Sequence, residues 1–64
     1  MITKRKVILN TKKERAFRGI LWKCALRYVV MRQVEMLKPG GEAVHMDGEL
    51  VVFREDVDFI QVLK

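Results

Sequence analysis

Residues 19–31, GILWKCALRYVVM, are the most apolar stretch of the chain, interrupted by Lys23 and Arg27. Whatever covers this stretch decides the fold. A lipid bilayer does not fit, because a spanning helix needs about 20 mostly apolar residues. No membrane contact is therefore expected, and the cover is either the chain's own core or another protein.

A core alone is a thin answer for 64 residues. The chain reads as one domain, 1–64, and a domain of this size buries only roughly 60% of its unfolded surface. Small domains usually add a disulfide, a metal or a partner chain. Cys24 is the only cysteine, so no intrachain disulfide forms, and the chain reads as cytoplasmic. Cys24 and His45 have no companions at ligand spacing, so no metal and no other cofactor is implied. Lys4, Arg5 and Lys6 precede only the short apolar run VIL, which is not a targeting segment. Self-association is the remaining common solution.

Local patterns predict an order of elements. Residues 3–9 end in a β-branched and aliphatic run and read as a strand. Thr11 and Glu14 have the spacing of a capping box, and nothing firmly breaks a helix before Lys38-Pro39-Gly40-Gly41. One long helix is therefore predicted over 11–37. Asp47-Gly48 between two apolar runs predicts a type I′ hairpin. It would pair Met46 with Glu49, His45 with Leu50, Val44 with Val51 and Ala43 with Val52. Residues 58–64 form a last strand or a tail. The predicted class is α+β, in the order β-α-β-β with or without a final β, one long helix packed on a short antiparallel sheet.

The predicted helix has too much apolar surface for one such sheet. Phe17, Ile20, Leu21, Cys24, Tyr28 and Met31 make one stripe, and Trp22, Ala25, Leu26, Val29 and Met36 make a second. Residues 11–37 as a helix would be about 40 Å long, against about 28 Å for the diameter of a globule of this length. The second stripe then predicts a homodimer through the helix, with Trp22, Leu26, Val29 and Met36 facing the partner.

Charge is divided along the chain. Residues 1–32 hold ten basic side chains and one acid, Glu14, for +9; residues 33–64 hold three basic and seven acidic ones, for −4. Lys12, Lys13 and Arg15 fall in the first turn of the predicted helix, where the macrodipole is already positive. A local rule broken without structural gain marks function, and helix amides beside cations suit phosphate. Lys4, Arg5, Lys6, Lys12, Lys13, Arg15 and Arg18 are accordingly predicted to contact the phosphates of DNA or RNA, in a chain of pI ≈ 9.8. The competing reading is a solvated basic face.

No helix-turn-helix pair, RNA-recognition aromatic signature or zinc-finger spacing is visible. The expected function is a small cytoplasmic nucleic-acid-binding or accessory regulatory protein, in size and composition like a phage or mobile-element regulator. The alternative is an interaction module, an inhibitor or adaptor docking on a larger protein through the apolar helix face. No enzyme is expected. Cys24 falls on the core stripe, His45 has no catalytic companions, and Glu55, Asp56 and Asp58 read as a solvated acidic turn.

Overall fold

The computed structural model describes residues 3–64, so Met1 and Ile2 of the expected domain lie outside the described residues. Its elements are β1 (Arg5–Thr11), β2 (Ala16–Cys24), β3 (Tyr28–Leu37), β4 (Ala43–Phe53), a 3-10 turn (Arg54–Asp56) and β5 (Val57–Val62). All neighbours pair antiparallel in one sheet of order β4-β3-β2-β1-β5. The expected α+β class is thus corrected to all-β. Residues 11–37 are not a helix but the end of β1, a loop and the β2–β3 hairpin. The homodimer through a helix has no helix to use.

Two periods compete in this stretch, and the shorter one wins. Along β2, Phe17, Gly19 and Leu21 are buried while Arg18, Ile20 and Trp22 are only partly so, which is the alternation of a strand. Ile20 and Trp22 are apolar too, so the alternation is masked and the same residues can be drawn as helical stripes. A wheel apolar on nearly every side is the sign of a wrong period. Tyr28, Val29 and Val30 favour strand by shape, and Gly19 costs a helix interior about 1 kcal/mol.

The punctuation residues act as their backbone chemistry allows, in different topological roles. Thr11 caps no helix: the Glu14 amide donates to its carbonyl at 3.1 Å, and the Arg15 amide donates to its hydroxyl at 3.2 Å. Residues 38–42 close the β3–β4 hairpin, with the Lys38 amide donating to the Glu42 carbonyl at 2.8 Å and Gly40 and Gly41 at φ 94 and 93. Asp47-Gly48 makes no hairpin. Met46 lies opposite Val34 and Glu49 opposite Arg32, so Asp47 and Gly48 together face Gln33 in a bulge. Gly48 keeps the positive φ (79) that the turn reading required of it. The expected pairings of Ala43, Val44, His45 and Met46 with Val52, Val51, Leu50 and Glu49 are replaced by pairings of both groups with β3. Residues 57–62 do join the sheet, beside β1.

The sheet must roll. Its edge strands β4 and β5 are four strand spacings apart, about 19 Å if flat at ~4.8 Å each. The four Cα steps from Phe53 to Val57 reach at most about 14 Å. Rolling closes the gap and makes the core: Val7, Leu9, Phe17, Leu21, Val29, Met31, Val34 and Val52 are buried together, with Val57 and Ile60 of β5 packed against them. Gly19 allows the sharpest approach. A Cβ there would lie 2.9 Å from the Arg32 carbonyl oxygen and 3.1 Å from that of Gln33. Among the described residues, no helix is long and apolar enough to cross a membrane.

Candidate nucleic-acid interface

Rolling also brings two turns together. The β2–β3 turn, residues 25–27, is closed by the Ala25 amide donating to the Tyr28 carbonyl at 2.8 Å. The 3-10 turn after β4 lies against it: the Arg54 amide donates to the Arg27 carbonyl at 2.8 Å. The Arg54 guanidinium donates to the carbonyls of Ala25 at 3.2 Å and Leu26 at 3.5 Å. Arg54 therefore ties the turns into one unit and adds its charge to that of exposed Arg27. Lys23, also exposed, is two residues before the turn. Between the turns is a recess of about 370 Å³ lined by Leu26, Arg27, Phe53, Arg54 and Glu55. Leu26 is 86% exposed and Phe53 57%. Cations beside an exposed aromatic and an exposed aliphatic are the composition of a single-strand binding surface.

The residues expected to bind phosphate do not form one patch. Lys4, Arg5 and Lys6 lie where β1 begins, beside Leu21 and Ile20 of β2. Lys12, Lys13 and Arg15 occupy the loop where β1 ends, about 20 Å of strand away at ~3.3 Å per residue. No helix N-terminus supports them. The Lys12 amide instead donates to the Asp56 carbonyl at 2.9 Å. Arg18 is on β2 and committed to Glu35 on β3, with Nη2 2.7 Å from the carboxylate.

The four residues expected to face a partner are also divided. Val29 is in the core at 1% exposure, and Met36 packs against the core. Leu26 projects from the turn described above. Trp22 is half-buried, with the Arg32 guanidinium 4.1 Å from its ring centroid and the Lys4 ammonium at 5.1 Å.

Sequence reasoning passed over Lys23, Arg27 and Arg54. Only the folded contact between the two turns brings Arg27 and Arg54 together. Among the described residues, no group of three or more His, Cys, Asp and Glu is placed to hold a metal ion.

The sheet leaves two edges unpaired among the described residues, the outer sides of β4 and β5. Each carries exposed apolar side chains: Val44, Val51 and Phe53 on β4, Phe59 and Val62 on β5. Proteins normally protect such edges, because they pair readily with other strands.

No protein-family model matches the chain, and no curated protein matches it. Among solved structures it is similar to a heptameric archaeal Sm protein, described for its implications for the eukaryotic snRNP core. The two are 22% identical over 97% of this chain and 90% of that one, with a TM-score of 0.85. The fold of this chain is accordingly Sm-like.

Proposed function

We propose that this Sm-like chain is one subunit of a homo-oligomeric ring that binds single-stranded RNA at its paired turns. The observation that carries the reading is a coincidence within one subunit: two unpaired apolar edges and a rigid cationic turn cluster. An edge on β4 of one copy and an edge on β5 of the next make a heterologous contact, and a heterologous contact that closes gives a ring. Pairing would cover Val51, Phe59 and Val62 and satisfy two rows of backbone groups. It also answers the marginal core of a 64-residue chain. Each copy brings a net charge of +5, so a ring multiplies the attraction for a polyanion.

Arg27, Arg54 and Lys23 are assigned to phosphates, and Leu26 and Phe53 to the faces of unpaired bases. The preference for RNA is supported by the solved neighbour, an Sm protein discussed in terms of the snRNP core. In this reading the chain is a binding protein rather than an enzyme, and an accessory regulator in the cytoplasm.

Anisotropy of a labelled single-stranded RNA, titrated with protein over a range of salt, tests the binding. The expected result is an affinity that falls steeply with salt, with a log–log slope of about −0.7 per phosphate contacted. Arg27→Gln and Lys23→Gln should each lower affinity on every sequence tried and reduce that slope. Absence of binding at low salt, or binding indifferent to both substitutions, would refute the assignment.

A further inference from the structure

We infer that Trp22 and Arg32, on the outer face of the sheet, form a second contact for single-stranded nucleic acid, a platform on which one unpaired base stacks. This inference rests on the RNA-binding reading and adds a site to it outside the paired turns.

Trp22 is the extra residue of a β-bulge. Leu21 pairs with Met31 and Lys23 with Val30, leaving Trp22 without a counterpart on β3. Bulges re-aim side chains, and this one delivers the indole to the outer face, where it contributes nothing to the core cluster. Its orientation is fixed. The Arg32 guanidinium is 4.1 Å from the ring centroid, and Glu49 on β4 holds that guanidinium through Nε. The result is a half-exposed aromatic plane beside a planar cation, both pre-set by strands and not by a mobile loop. Bases stack on both kinds of plane, and a pre-set platform has little side-chain freedom left to lose on binding.

The surrounding charge selects the ligand. Lys4 and Lys6 are exposed at this corner of the β1–β2 pair, and the nearby acids Glu49 and Glu35 are already engaged by Arg32 and Arg18. Lys4 is the loose member, at 5.1 Å from the ring centroid, on a flexible stem. It can leave the indole for a phosphate when a base arrives. An acidic protein surface would use the same cations but would have no need of the aromatic plane.

Trp22 is the only tryptophan of the chain, so its fluorescence reports this site alone. The experiment titrates a labelled single-stranded RNA, following label anisotropy and tryptophan emission together. Two further ligands are run, an abasic strand of the same length and poly-glutamate. Quenching that tracks anisotropy with RNA, and is much weaker with the abasic strand and with poly-glutamate, is the expected result. Trp22→Phe should then bind within a few-fold of the parent, and Trp22→Ala roughly tenfold or more weaker. If Trp22→Ala is not folded by circular dichroism, the parent emission and the Phe variant decide.

Rising anisotropy with unchanged emission would overturn the platform and leave the paired turns as the site. Equal quenching by the abasic strand would reduce the site to phosphate contact and overturn stacking. Quenching by poly-glutamate as strong as by RNA would assign the corner to an acidic protein instead. Neither signal moving would overturn both readings.

Discussion

Substituting Gly19 by alanine separates two contributions that predict opposite signs. The φ of Gly19 lies outside the left-handed region, so its backbone suits any residue. On conformational grounds alone, Gly→Ala there stabilises by about 0.4–1 kcal/mol through the unfolded chain. Packing opposes this. The new Cβ would stand 2.9 Å from the Arg32 carbonyl oxygen, 3.1 Å from the Gln33 oxygen and 3.2 Å from the Val34 Cα. All three are backbone atoms of β3, so no side chain can rotate aside, and relief requires shifting the bulged strand. Overpacking of this kind costs about 1–3 kcal/mol. The net expectation is a loss of about 1–2 kcal/mol, or a fall in Tm of roughly 5–15 °C for a domain of this size. Thermal and urea unfolding at one fixed protomer concentration measure it. Gly40→Ala is the control. Nothing lies within 4 Å of its added Cβ, but its φ is 94, so its cost, about 1 kcal/mol, comes from the backbone. A Gly19→Ala protein as stable as the parent, or more so, would refute the close approach that lets the sheet roll.

Further substitutions probe other parts of the account. Arg18→Gln should cost less than about 1 kcal/mol, since its pair with Glu35 is partly exposed (41% and 38% of the two side chains). It should leave RNA affinity within about twofold, because a guanidinium whose charge is already matched by a carboxylate gives little to phosphate; anisotropy showing a tenfold loss would contradict this. Leu21→Ala, at 2% exposure, should cost about 2–5 kcal/mol, a large share of the roughly 3–10 kcal/mol available to a chain of this length. A urea midpoint unchanged by it would contradict the assigned core. Gly48→Asn should be better tolerated than Gly48→Val, because at φ 79 asparagine accepts the left-handed region and a β-branched residue does not. Equal midpoints for the two would argue against the Asp47-Gly48 bulge.

The sequence was legible wherever a residue's own backbone chemistry decided the outcome. Gly40, Gly41 and Gly48 do take positive φ, and the run ending in Val7-Ile8-Leu9 does lie in a strand. It was misleading wherever a distant contact decided. Residues 25–27, Ala-Leu-Arg, contain none of the glycine, proline, asparagine or aspartate that marks a turn. Their turn is closed by the Ala25 amide on the Tyr28 carbonyl and braced by Arg54, far along the chain. Without that signal β2 and β3 merge into one apolar run, and the residues on both sides of two strands look like stripes on one helix. Asp47-Gly48 is the converse case, a strong turn signal used as a bulge because β3 was already present to pair with both flanks. The same logic hid the candidate site, since Arg27 and Arg54 meet only after the sheet rolls. The apolar surface read as a surplus helix stripe is largely core, with Val29 buried and Met36 packed against it, and the exposed apolar side chains of β4 and β5 were not anticipated.

Native mass spectrometry of the purified chain at micromolar protomer, with light scattering in parallel, determines whether the β4 and β5 edges join copies into a ring. One discrete species of more than two subunits is expected, lost when Phe59→Glu places a charge on the β5 edge while the sheet stays folded by circular dichroism. A monomer, a dimer, or an assembly indifferent to Phe59→Glu would contradict the ring.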